Sequence, residues 1–154
     1  MKSTNNLLVI NQLDNRLRAF QPLATTQLPA QGWINLIRQA LHMSLRQLGT
    51  RLQMTPQGVK DIERREKEGT ITINSLKAAA DALGMQLVYG FIPREELLEK
   101  MIDRKAREKA EHIVGRTSIT MKLEDQENSE ERIKQAIKEL AEEIKREMPG
   151  KLWD

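Results

Sequence analysis

The chain has no cysteine. That rules out a disulfide framework and a thiolate metal site, and it fits a reducing cytosol. Histidine is nearly absent as well. His42 and His112 are the two present, far apart, with no further ligands at helical spacing, so no metal site is expected. No apolar run is long enough to cross a bilayer; Leu7–Ile10 is far too short, and no stretch has the layout of a signal peptide. There is no Gly-rich phosphate loop, no nucleophile elbow and no triad spacing. An enzyme is therefore not expected, and no cofactor is called for. At 154 residues, the natural expectation is one compact domain with an extension.

Charge is present but unevenly placed. The net charge is only +3. Residues 33–92 carry eight Lys and Arg against five Asp and Glu, whereas residues 124–154 carry six against ten. Nucleic acid is drawn to the first region and repelled by the last, which is better suited to a protein partner.

Inside the basic region, Ser44 to Glu66 reads SLRQLGTRLQMTPQGVKDIERRE, the pattern of two short helices across a tight turn. Ser44 can cap the first helix, whose inward face is Leu45, Leu48 and Leu52. Gln53-Met54 form the turn. Thr55 suits the N-cap of the second helix and Pro56 its first position, where the missing N–H costs nothing. Val59 and Ile62 face back. Gly49 stands where the helices cross at short range, which needs a residue with almost no side chain. Gln53 occupies a turn position commonly held by Gly. A left-handed backbone there costs roughly 1 kcal/mol, so either Gln53 bears that cost or the turn takes another shape.

A helix-turn-helix of this kind presents the outer face of its second helix to a major groove. Gln57, Lys60 and Asp61 point outward near the start of that helix. Gln bonds both edges of adenine, Lys donates to guanine, and Asp accepts from cytosine, which makes them the candidate base-reading residues. Thr55 lies at the helix N-terminus, where free N–H groups favour a phosphate. Arg46 and Gln47 open the first helix, and Arg64 stands at the far end of the second; all three are candidate phosphate contacts.

The flanking sequence divides the chain into three parts. Residues 1–32 form an N-terminal helical arm, with a helix over 7–20 whose stripe is Leu13, Leu17 and Phe20, broken by Pro22 and Pro29. The arm is read as packing, with Lys2, Arg16 and Arg18 leaving DNA tracking as an alternative. Residues 33–92 are the DNA-binding domain, four to five helices resembling the phage-repressor kind. Trp33, Ile34, Ile37 and Leu41 are its expected inward face before the motif. After the motif, Thr72 caps a helix burying Ile73, Leu76, Ala79, Ala80 and Leu83, closed by Gly84. Gln86–Ile92, rich in β-formers, reads as a short strand that must pair with 71–73, with a second copy or with a partner. Residues 93–154 form a helical extension for dimer or partner contacts. It begins with a charged helix over 94–114, apolar at Leu97, Leu98, Met101, Ile102, Ala106, Ala110 and Ile113. Its run of Arg104, Lys105, Arg107 and Lys109 reads as a solvated face. A break follows over 115–127. A last helix, with Asn128 and Glu131 as a capping box, runs to Met148 along Ile133, Ala136, Ile137, Leu140, Ala141 and Ile144. That stripe can dock on the core or on another chain. Leu152-Trp153 needs something to cover it.

Taken in order, QLD at Gln12–Asp14, GWI at Gly32–Ile34, QLGTRL at Gln47–Leu52, GTIT at Gly69–Thr72, ALG at Ala82–Gly84, LVY at Leu87–Tyr89, LEDQ at Leu123–Gln126 and LWD at Leu152–Asp154 resemble the mobile mystery protein A family. These are Xre-type helix-turn-helix proteins of bacterial mobile elements. The resemblance implies a companion, mobile mystery protein B, with a Fic domain, in pairs that look like toxin–antitoxin systems. This chain is then the antitoxin and autorepressor. Many Fic enzymes are held inactive by a helix with Ser or Thr, three residues, Glu, then Gly or Asn. Thr120 and Glu124 fit the first two requirements, and Asp125 departs from the last. On that implication Glu124 pairs with an Arg of the Fic active site and blocks productive ATP binding.

The sequence thus points to a mainly α protein. The expected function is a cytoplasmic, homodimeric repressor of double-stranded DNA, with a Fic-domain partner and no membrane association. The alternative is a protein-interaction or inhibitor module whose helix-turn-helix does not bind DNA. Asp61 on the reading face makes that alternative concrete, because it repels phosphate.

Overall fold

A computed structural model describes residues 2–123, 130–148 and 150–154, with side chains described from residue 5 and not for 118–123. The described residues form seven α-helices and two 3₁₀ turns: α1 Lys2–Leu17, a 3₁₀ segment Arg18–Thr25, α2 Trp33–Ala40, α3 Leu45–Leu52, α4 Pro56–Glu68, α5 Ile73–Ala82, α6 Leu98–Leu123, α7 Glu130–Glu147 and a 3₁₀ turn Gly150–Trp153. None of these helices is long and apolar enough to cross a membrane. The chain divides into two units. One is Thr25–Gly90; the other joins residues 1–24 to 91–154.

The Thr25–Gly90 unit is built on α2 to α5. Its core is Ile34, Leu48, Val59, Ala79 and Leu83, with Ile37, Leu45, Leu52, Ile62 and Leu76 packed around it. Leu48, Val59 and Ala79 are fully enclosed. Three expected core positions are not. Trp33 is 44% exposed, Leu41 51% and Ile73 47%. Trp33 and Ile73 are the first residues of α2 and α5, and Leu41 follows the last residue of α2. At a helix end the neighbouring turn that would complete the cover is missing, so correct phase does not guarantee burial.

The expected strand at Gln86–Ile92 is not formed; the segment has no regular secondary structure. Among the described residues its backbone makes no hydrogen bond. β-Propensity expresses fit to a pleated, half-buried neighbour, and a lone segment has none. The candidate partner at 71–73 is engaged elsewhere: Ile71 donates its N–H to Arg65 O, and Ile73 opens α5.

In the other unit, α6 packs along α7, and α1 lies on both. The core is Ile102, Ala106, Ala110, Ile144 and Leu152, flanked by Ile10, Ile137, Leu140, Ala141 and Met148. From Ile137 to Met148 the apolar stripe of α7 is thus packed against its own chain, whereas Ala136 is exposed; Leu152 is buried while Trp153 stays half exposed. In α1 the enclosed residue is Asp14, and Leu13 is 41% exposed. Ile113 also faces out. The expected break at Gly115 does not occur, and α6 continues to Leu123. One internal Gly costs about 1 kcal/mol, less than the adjoining helix formers recover, and no proline interrupts them. Thr120 therefore lies on α6. Its side chain, Glu124 and the expected capping position Asn128 lie outside the described residues.

Candidate nucleic-acid interface

The hairpin of α3 and α4 is held by local chemistry written into its sequence. Ser44 Oγ accepts the Gln47 N–H at 3.1 Å, and Gln47 Oε1 accepts the Ser44 N–H at 2.8 Å, a complete capping box. Gln47 was expected only to touch phosphate. Its carbonyl oxygen is committed to the cap, leaving its amide N–H groups to reach an acceptor. Thr55 Oγ1 accepts the Gly58 N–H at 3.1 Å, with Pro56 at the first helical position.

Between the helices, Gln53 does adopt the left-handed conformation, φ 55° and ψ 43°. Gly49 is needed next to it. A Cβ there would stand 2.7 Å from Met54 O, so the close approach is to the turn backbone, not to the body of α4.

Two acidic residues of α4 turn inward and tie the hairpin to α2. Glu63, 7% exposed, pairs with Arg38 and accepts from Asn35 Nδ2 at 2.8 Å. Arg38 also donates to Met43 O at 2.9 Å. Glu66 accepts the N–H groups of Trp33 at 2.8 Å and Ile34 at 2.9 Å, capping α2 from another helix. Gly32, at φ 88°, leaves room for that carboxylate; a Cβ there would meet Glu66 Oε2 at 2.8 Å. Sequence reasoning counted Glu63 and Glu66 only as charges. The available signal was their spacing from Val59, which puts them on the buried side of the helix.

The outer face of α4 brings the expected residues together. Gln57, Lys60, Asp61 and Arg64 line one open cleft of about 380 Å³ beside α2, with Asn35, Lys67 and the inward-turned Glu63. Gln57, Lys60 and Arg64 are exposed and Asp61 is half-buried. Among the described residues, Lys60 and Lys67 make no ion pair. Arg64 does not stand free. It pairs with Asp61 and, at 2.8 Å, with Glu68. Arg65 Nε reaches the other Asp61 oxygen at 3.1 Å. The hydrogen bond from Arg64, aided by the charges of Arg65 and Arg64, holds the Asp61 carboxyl below its ordinary pKa. Asp61, through its hydrogen bond, and then the Glu68 charge raise Arg64. Arg46 lies exposed on α3, outside that cleft, with Gln47 on the same first turn.

The basic run of α6 is chemically different. Arg104 pairs with Glu95 and Glu108, Lys105 with Glu108, and Arg107 with Glu111. Neutralised side by side, these residues offer a phosphate little net charge.

Residues 34–89 match the helix-turn-helix family model. No curated protein and no solved structure matches the chain. The matched stretch runs from the second residue of α2 through α5 and into the segment after it, so this part of the chain is similar to a helix-turn-helix domain.

Proposed function

We propose that the chain is a sequence-specific transcriptional repressor that binds double-stranded DNA as a homodimer through α4. The observation that carries this reading is the outer face of α4. Gln57, Lys60, Asp61 and Arg64 share one open cleft on a helix whose inner acids are consumed in holding the fold. Gln57, Lys60 and Asp61 take the base edges, and Arg46, Gln47, Thr55 and Arg64 take phosphate. A helix of 13 residues reaches few bases, so two copies reading half-sites ~34 Å apart give the needed affinity. The unbonded backbone of Gln86–Ile92 favours association with a second copy. A labelled duplex taken from upstream of the gene tests the reading. Binding at nanomolar protein, competed poorly by random DNA, is expected; equal affinity for both duplexes contradicts it. Sedimentation showing a monomer both free and on DNA would remove the dimer.

The finer part of the proposal is that the repressor is also the antitoxin of a Fic-domain toxin. It rests on the resemblance to mobile mystery protein A and on the acidic composition of residues 124–154. Because α7 packs its stripe from Ile137 to Met148 within its own unit, the partner contacts would be mostly polar ones around α7 and the segment before it. Co-expression with the neighbouring Fic protein is the test. A Glu124→Ala chain that still silenced the toxin would dismiss Thr120 and Glu124 as the inhibitory pair.

A further inference from the structure

Asp61 is the odd residue of the reading face. A carboxylate beside a phosphate backbone repels it, and this one sits among Lys60, Arg64, Arg65 and Lys67. Its two oxygens are divided between two arginines. One binds Arg64, and the other binds Arg65 Nε at 3.1 Å. Arg64 is further held by Glu68 at 2.8 Å. Among the described residues, the nearby Lys60 and Lys67 make no such pair.

We propose that Asp61 is a specificity-determining residue that competes with DNA phosphate for Arg64 and Arg65. This rests on the reading of α4 as a DNA-binding helix. On DNA of arbitrary sequence, each arginine must leave a carboxylate to reach a phosphate, and the abandoned carboxylate then faces the backbone unpaired. Part of the electrostatic gain is lost. At a cognate site, a cytosine amino group donates to Asp61. The carboxylate is then satisfied by the base, and both arginines are released to phosphate together. Base identity at one position thereby controls two phosphate contacts, although neither arginine touches a base. Exposed ion pairs are individually weak. Such a competitor therefore tunes discrimination without abolishing binding.

The test measures affinity and salt dependence of the full chain on two probes, the upstream duplex and a random-sequence duplex, for wild type, Asp61→Asn and Asp61→Ser. Both variants should bind the random duplex about three- to tenfold more tightly, with a steeper salt slope by about one to two ions, and the upstream duplex much less so. Glu68→Gln should give a smaller effect of the same sign, because it frees one arm of Arg64 only. In an Arg64→Ala/Arg65→Ala background, Asp61→Asn should lose most of its effect. If it tightened binding equally in both backgrounds, Asp61 would act by plain repulsion and the proposal would be wrong. It would be equally wrong if Asp61→Asn changed neither affinity nor slope. Wild type that bound neither duplex would instead overthrow the DNA-binding reading itself, and this inference with it.

Discussion

Asp14, on α1, closes the N-terminus of α6: its carboxylate accepts the Leu98 N–H at 2.7 Å, 84 residues away in sequence, and the Glu99 N–H at 3.2 Å. Asp14 is 5% exposed. A negative charge suits the positive end of a helix of 26 residues, and burial raises the cost of losing it. Asp14→Ala should destabilise the protein by ~1–3 kcal/mol. Urea unfolding checks this, and an unchanged midpoint would mean water replaces the cap.

The Arg38–Glu63 pair should be more costly to break. Both side chains are about nine-tenths buried, at 11% and 8% exposure. Removing one strands the other away from water, so Glu63→Ala should cost ~3–5 kcal/mol. A combined Arg38→Met/Glu63→Leu chain should recover much of that loss. Comparing the unfolding midpoints of the two chains settles whether the damage comes from an orphaned charge or from lost shape.

Gln53 predicts a gain. Its left-handed backbone costs a side-chain-bearing residue ~1–2 kcal/mol, and glycine escapes that at an entropic cost of ~0.5–1 kcal/mol. Gln53→Gly should stabilise by up to about 1 kcal/mol with DNA affinity unchanged. A lower melting temperature would show that the Gln53 side chain contributes something else.

Much of this was legible in the sequence, and the remainder divides by cause. Ser44, Thr55, Thr72 and Gly84 mark helix ends through bonds to residues three or four positions away. Leu48, Val59 and Ala79 follow from periodicity. Asp14, Glu63 and Glu66 were invisible as caps and pairs because their partners lie at least 25 residues away. Gly115 misled because an isolated glycine weakens a helix without stopping it. Gln86–Ile92 misled because composition records the preference for a neighbour, never its presence. In the site, the outward phase of Gln57, Lys60 and Arg64 was readable, whereas the ties of Arg64 to Asp61 and Glu68 needed coordinates.

For Gln57 and Lys60, alanine should cost ~1–3 kcal/mol on the preferred duplex and relax preference at one base position each. Arg46→Ala should weaken all sequences alike and lower the salt slope by about one. Anisotropy against a panel of single-base variants distinguishes the two patterns. An unchanged ranking for Gln57→Ala and Lys60→Ala would move base reading elsewhere.

Lys145 predicts a pH dependence at the alkaline end. Its burial alone would lower the pKa, but hydrogen bonds with Asp103, at 2.7 Å, and Glu99, at 3.0 Å, outweigh it and hold the ammonium above its ordinary value of 10.5. A raised folded-state pKa contributes stability that is whole below 10.5 and is lost as pH rises through the folded value. Lys145→Met should flatten that alkaline decline. Unfolding midpoints between about pH 9 and 12 measure it, and identical profiles would show that the bridge adds nothing.

By composition α4 is neutral: four basic residues stand against four acidic ones, so the isolated peptide would attract no polyanion. Docking on α2 sorts those charges. Glu63 and Glu66 are withdrawn to Arg38 and to the start of α2, and the side left to solvent keeps all four cations and two carboxylates. The net positive face of α4 is thus a product of folding, whereas unfolding leaves only the small excess spread along residues 33–92. An anion that occupies that face binds the native state in preference to the unfolded chain, so affinity and thermal stability are linked by mass action. A polyanion that raised the melting temperature of wild type should do so less in any variant that returns Glu63 or Glu66 to solvent.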